Sequence, residues 1–155
     1  MEDQAFILPE MTWPEAQKAL AGARVALVPV GSFEQHGPNG TFEVDTGRAE
    51  GFGRLLAART YPDTILAPAI SLGVSYHHMN FPGSITLRPE TFMAAVYDVI
   101  WSLQQHGLER FLILNGHGGN IASLGVVFVK LRQELGVKVA WTSFTSLGKE
   151  VIKDQ

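Results

Sequence analysis

The chain contains no cysteine. Disulfides and thiolate metal sites are therefore excluded, and any metal must rest on nitrogen and oxygen ligands. No apolar run approaches the ~20 residues of a membrane span. The first residues, Met1-Glu2-Asp3-Gln4, lack the basic-then-apolar pattern of a secretory signal. These absences predict a cytoplasmic protein with no membrane partner. Basic residues are few: 12 Lys and Arg stand against 15 Asp and Glu, for a net charge of −3. No basic stripe is present, which argues against nucleic acid as a partner. No Gly-x-Ser-x-Gly elbow occurs, so Ser/His/Asp hydrolysis is a poor fit. Repeats, linkers and low-complexity tracts are also missing. The 155 residues, 46% of them hydrophobic, suit one domain burying roughly 70% of its unfolded surface.

What is present alternates between apolar β-branched runs and helical stripes. Thr12 and Glu15 have capping-box spacing around Pro14, and predict a helix through about Ala21 with Trp13 as a core anchor. Arg24 to Val30 reads as a buried strand. Asp45-Thr46 opens a helix that Tyr61-Pro62 stops. Thr64 to Ile70 reads as a second strand, and Ser84 to Leu87 as a short edge strand. Phe92, Val96, Val99, Ile100 and Leu103 recur at helical spacing after Pro89, and Gly107 suits the end of that helix. Phe111 to Leu114 and Val137 to Trp141 are further strands. Between them, Ile121, Leu124, Phe128, Leu131 and Leu135 form one helical stripe that Asn120 can cap. A final helical stub is expected over Ser146 to Lys153. Alternating strands and helices predict an α/β fold with a largely parallel sheet and helices on both faces.

In such sheets, ligands bind beyond the carboxyl ends of the strands. Every histidine except His106 falls there. Glu34 and His36 follow the first strand, two residues apart, and an extended backbone would point both to one side. Asp45 comes shortly after. His117 follows the Phe111 strand, between glycines that let the backbone turn tightly and present the ring. Two carboxylates and two imidazoles make a divalent-metal set. The plainer alternatives are a helix N-cap for Asp45 and a turn histidine for His117. His77 and His78 lie past the second strand and cannot both face one pocket if extended. Gly116-His117-Gly118-Gly119-Asn120-Ile121 invites a dinucleotide reading, but Ile121 fills the third glycine position and no acidic residue ends the next strand.

Three stretches resemble the creatininase (creatinine amidohydrolase) family. They are Pro29-Val30-Gly31-Ser32-Phe33-Glu34-Gln35-His36-Gly37 with Asp45 downstream, His78-Met79-Asn80-Phe81-Pro82-Gly83-Ser84-Ile85-Thr86-Leu87, and Asn115-Gly116-His117-Gly118-Gly119-Asn120. The resemblance implies an α/β fold and a two-metal centre that hydrolyses small amide or cyclic amide C–N bonds. It implies Glu34 and His117 on one metal, His36 on the second and Asp45 between them, with zinc first and manganese or iron as alternatives. It places His78 near the substrate and Asn115 as a brace for the His117 loop. In metal-assisted hydrolysis the leaving nitrogen needs a proton, and His78 is the candidate to supply it. Tyr76, His78 and Trp141 are candidates to line the pocket.

The chain departs from the family pattern twice. Family members are longer, and their later part carries a Glu-Thr-Ser-like segment absent here. Some also carry a ligand Glu two residues after the histidine matched by His117, where this chain has Gly119. The expectation is therefore a single, C-terminally shortened domain that holds about one metal per subunit after dialysis. The alternative is a non-catalytic remnant that keeps the fold and serves as a binding or assembly unit. A shortened sheet leaves apolar edges to pair, which predicts a homo-oligomer. Light scattering at micromolar concentration should give a multiple of the single-chain mass.

Overall fold

The computed structural model describes residues 4–143, so the helical stub expected over Ser146 to Lys153 lies outside the described residues. Five strands form one sheet: β1 (Phe6–Ile7), β2 (Val25–Val30), β3 (Thr64–Leu66), β4 (Arg110–Asn115) and β5 (Lys138–Ser143). Their spatial order is β1-β3-β2-β4-β5, and every pair is parallel. Four helices connect them: α1 (Trp13–Gly22), α2 (Val44–Arg59), α3 (Pro89–Gln105) and α4 (Ile121–Leu135).

Central strand β2 is buried on both faces, as its unbroken apolar run requires. Its residues alternate between two cores. Ala26, Val28 and Val30 join Phe92, Val96, Ile100, Leu124, Val127 and Leu131 beneath α3 and α4. Leu27 joins Leu66, Leu114 and Ala57 beneath α2. Helices therefore cover both faces of the sheet, and the parallel α/β class follows from the sequence pattern.

Some local expectations fail. Trp13 is 79% exposed rather than a core anchor. The buried residue of α1 is Ala19, and six residues turn a helix by about 600°, which puts the two on different faces. The capping box does form: Glu15 Oε2 accepts from the Thr12 N–H at 2.8 Å and from its hydroxyl at 2.6 Å. Strand β3 stops at Leu66, before Pro68, which lacks a ladder N–H. Ile70 then makes only an isolated bridge to Val30, and the Ser84–Leu87 stretch only one bridge, Ile85 to Phe33. Strand β1 was not anticipated, since two residues carry no periodicity.

The register places the site. Val30 pairs with Asn115, so β2 and β4 end side by side and release their loops at one sheet edge. The first turn of α2 sits directly on these ends. A Cβ at Gly31 would strike Thr46, and one at Gly116 would strike the Asp45 carbonyl. Only glycine lets the α2 start approach this closely. Gly116→Ala should therefore destabilise the fold by about 1–3 kcal/mol and push Asp45 out of place. A lowered urea midpoint together with weaker zinc binding would show this.

Candidate metal centre

Glu34 comes from the loop after β2, Asp45 from the first turn of α2 and His117 from the loop after β4. All three are nearly fully buried, at 5%, 4% and 4% exposure. His117 Nδ1 lies 3.2 Å from Glu34 Oε1 and 3.0 Å from Asp45 Oδ2. The other Asp45 oxygen, Oδ1, lies 3.1 Å from His36 Nε2. Asp45 therefore stands between two imidazoles. It is not the N-cap that its position suggested: Glu43 is at that position, and the Asp45 side chain turns inward.

The far nitrogen of each ring is occupied. His117 Nε2 donates to the Val74 carbonyl at 3.0 Å. His36 Nδ1 donates to the Glu34 carbonyl at 3.1 Å. With their hydrogens on those atoms, the rings present lone pairs to the carboxylates. A ring nitrogen held by an outer acceptor while its partner nitrogen faces inward is the arrangement of a metal-ligating histidine. With the ring hydrogens so placed, Glu34 Oε2 and Asp45 Oδ2 are buried and accept no hydrogen bond. Buried carboxylate oxygens left without a donor are costly unless a cation or a proton meets them. Glu34, Asp45 and His117 offer three ligand atoms close enough for one ion, with an oxygen and nitrogen donor set suited to zinc or manganese.

Without an ion, the buried groups shift one another's titration. Burial opposes a charged His117, but Asp45, the Val74 carbonyl and Glu34 outweigh it and raise its pKa. Burial likewise opposes an ionised Asp45, but His117 and His36 outweigh it and lower its pKa.

Asparagines hold the loops. The Asn115 amide donates to the His117 carbonyl at 2.8 Å, and its oxygen accepts from the His117 N–H at 3.3 Å. Asn120 does not cap α4 with its side chain. Its amide donates to the Gly31 carbonyl at 3.0 Å and to Asn115 Oδ1 at 3.2 Å, and its oxygen accepts from the Val74 N–H at 3.0 Å. It thus ties together the loops after β2, β3 and β4, a role its capping position concealed.

His77 and His78 both reach Glu34. Nε2 of His78 is 3.6 Å from Oε1, and Nε2 of His77 is 4.0 Å from Oε2. The expectation that only one could face the pocket assumed an extended backbone. Tyr76–His78 is instead a 3-10 turn, and the His77 ring lies parallel to that of His117 at 5.6 Å. Glu34, His77 and His78 form a second cluster of possible ligands. Tyr76 is 55% exposed and stands outside both clusters, and Trp141 is 36% exposed on edge strand β5.

The creatinine amidohydrolase family model matches residues 9–154. The chain belongs to the creatininase family. Among curated relatives, a mycofactocin precursor peptide peptidase of Mycobacterium ulcerans is 32% identical over 149 residues, covering 88% of this chain and 53% of the relative. Creatinine amidohydrolase of Pseudomonas putida is 31% identical over 123 residues, covering 76% and 46%. A 3-dehydro-scyllo-inosose hydrolase of Thermotoga maritima is 31% identical over 109 residues, covering 70% and 34%. A solved creatininase variant superposes with a TM-score of 0.87 at 27% identity, over 97% of this chain and 63% of that one. Solved creatininases include a manganese form and a zinc–zinc form of a variant. The chain thus spans between a third and about half the length of these curated relatives.

The position two residues after His117 is closed to side chains. A Cβ at Gly119 would strike the Val74 carbonyl and the His117 ring, and would lie 3.1 Å from His77 Cε1. No side chain fits there without moving the backbone.

The two shifts set a pH window for the metal-free protein. Asp45, with its lowered pKa, adds stability above the ordinary Asp value of about 3.9, and this is lost as pH falls through the folded value. His117, with its raised pKa, adds stability below about 6.5, and this is lost as pH rises through the folded value. Chelator-treated protein should therefore be most stable between these limits. Saturating zinc should abolish the alkaline decline, because ion and proton compete for His117 Nδ1. Melting temperatures at stepped pH, with and without zinc, measure both effects.

Proposed function

We propose that this chain carries the metal centre of a hydrolase that cleaves the C–N bond of a small or cyclic amide. One observation carries the reading: two buried carboxylates with undonated oxygens converge on a ring nitrogen whose hydrogen is held elsewhere. Glu34, Asp45 and His117 would hold one ion, and His36 with the shared Asp45 would offer a second, weaker place. Zinc is the first choice and manganese the second, in keeping with the solved creatininases; iron suits the same donors. When bound, the ion lowers the pKa of a water towards neutrality and polarises the amide carbonyl.

The chain's own residues do the rest. Val74 and the Glu34 carbonyl fix the two ligand rings. Asn115 and Asn120 keep the three loops in register. His78 lies beside Glu34 at the mouth of the site, where a substrate would meet it, and Tyr76 is exposed on the same turn. Two of the relatives' names, peptidase and creatinine amidohydrolase, describe amide cleavage, and a solved creatininase variant holds creatine. These names and the metal-assisted mechanism support a small-amide substrate class.

A second reading rests on Gly119. With that position closed to side chains, the His36 side of Asp45 keeps only two ligands, and two seldom retain a divalent ion against water. A chain that holds one ion and serves as a binding or assembly unit, within a homo-oligomer, would look the same at this site. Turnover separates the readings. A panel of creatinine, N-formyl amines and short peptides should yield at least one substrate, hydrolysed in a chelator-sensitive manner and restored by zinc or manganese. Asp45→Asn should cut metal affinity and kcat/KM roughly 100-fold or more while far-ultraviolet dichroism stays unchanged. Unchanged metal content in that variant would remove Asp45 from the site.

A further inference from the structure

Four histidines approach the two central carboxylates, and the outer nitrogens of His117, His36 and His78 are held differently. His117 and His36 each give an outer N–H to a backbone carbonyl, at 3.0 and 3.1 Å. His78 does not. Its outer nitrogen, Nδ1, lies 2.8 Å from Gln35 Nε2. The orientation of that amide is set independently. The Gly37 backbone N–H, which can only donate, points at Gln35 Oε1 at 2.8 Å. The oxygen of the amide is therefore towards Gly37 and its NH2 towards His78. An NH2 group donates and cannot accept. His78 Nδ1 must be the acceptor, and the ring hydrogen must sit on Nε2, the atom 3.6 Å from Glu34 Oε1.

We infer that Gln35 is a positioning residue that holds His78 in the Nε2–H form, making it a fixed hydrogen-bond donor inside the site rather than a metal ligand or a proton source. A ligand nitrogen needs a lone pair, and Nε2 has none in this form. The cluster of Glu34, His77 and His78, although close enough for an ion, therefore lacks one of its three donors. The cluster of Glu34, Asp45 and His117 keeps all of its own. Nor can this ring release a proton to a leaving nitrogen, since losing Nε2–H would leave an imidazolate. It can donate a hydrogen bond to an oxygen on which negative charge builds during attack on an amide carbonyl, as donors in an oxyanion hole do. That last step rests on the amidohydrolase reading; the tautomer does not.

The neighbouring sequence shows how one loop serves both purposes. Glu34 and His36 face the metal cluster, while Gln35 between them turns to His78. The loop after β2 thus supplies ligands from alternate residues and sets a donor from the residue between.

The test reads the ring directly. Histidine-labelled protein, loaded with zinc, is examined by two-bond nitrogen–proton NMR, with His78→Gln used to assign the signals. The expected result is a pyrrole-like Nε2 and a pyridine-like Nδ1 for His78 in the unmodified chain. Gln35→Glu replaces the donor by an acceptor and should move the hydrogen to Nδ1. A metal-shifted Nε2, a hydrogen on Nδ1 in the unmodified chain, or an unchanged pattern in Gln35→Glu would each overturn the inference. Where a substrate is turned over, Gln35→Glu should lower kcat about 10²-fold, in the range for losing one oxyanion donor, with KM and metal content little changed. An equal loss in Gln35→Glu through KM alone would contradict the role in turnover. Absence of any substrate would count against the amidohydrolase reading and leave the NMR result standing.

Discussion

Two buried carboxylates that share one imidazole are the constraint on which the site depends. Glu34 and Asp45 would repel each other in a low-dielectric interior, and each leaves an oxygen without a donor. Removing ionised groups from water costs several kcal/mol per ion unless something of opposite charge meets them. A protein built only for stability would not place them there. The surrounding structure accommodates the arrangement at every level. Glycines at 31 and 116 admit the helix that carries Asp45, and backbone carbonyls hold the ring hydrogens outside the cluster. Asparagines lock the loops that would otherwise spread.

The parallel sheet explains why these groups meet. Strands β2 and β4 are neighbours and end in register, so residues 85 or so apart in sequence leave the sheet side by side. Helix α2 returns across the face of the sheet and begins at that same edge. The membership in the creatininase family is thus consistent with the physics of the edge. The family match identifies the fold, and the orphaned carboxylate oxygens independently point to a cation. The relatives carry differing names, so family membership alone does not fix a substrate, and the chain spans only part of their length.

Much of this was legible in the sequence because it depends on period and composition. Unbroken apolar runs marked β2 and β4, and helical stripes marked α3 and α4. The gathering of Glu34, His36, Asp45 and His117 followed from one rule about strand ends. Features set by single turns were less accessible. Trp13 reads as core by composition, but its face of α1 is free. Pro68 ended β3 early. The 3-10 turn at Tyr76–His78 brought both histidines to Glu34, which an extended reading forbids. Asn120 sits where a cap belongs, and only the packing of three loops reveals its other use. The tautomer of His78 depends on a Gln amide and one backbone N–H, and no pattern in the sequence encodes it.

The central claim is that Glu34, Asp45 and His117 hold a divalent ion. Calorimetric titration of zinc into chelator-treated protein tests it most directly, repeated in buffers of different ionisation enthalpy. The account predicts one tight site per chain, with proton release that grows as pH is lowered because zinc and a proton compete for His117 Nδ1. Binding that is weak, whose proton release does not change with pH, or that survives Asp45→Asn unchanged would contradict it.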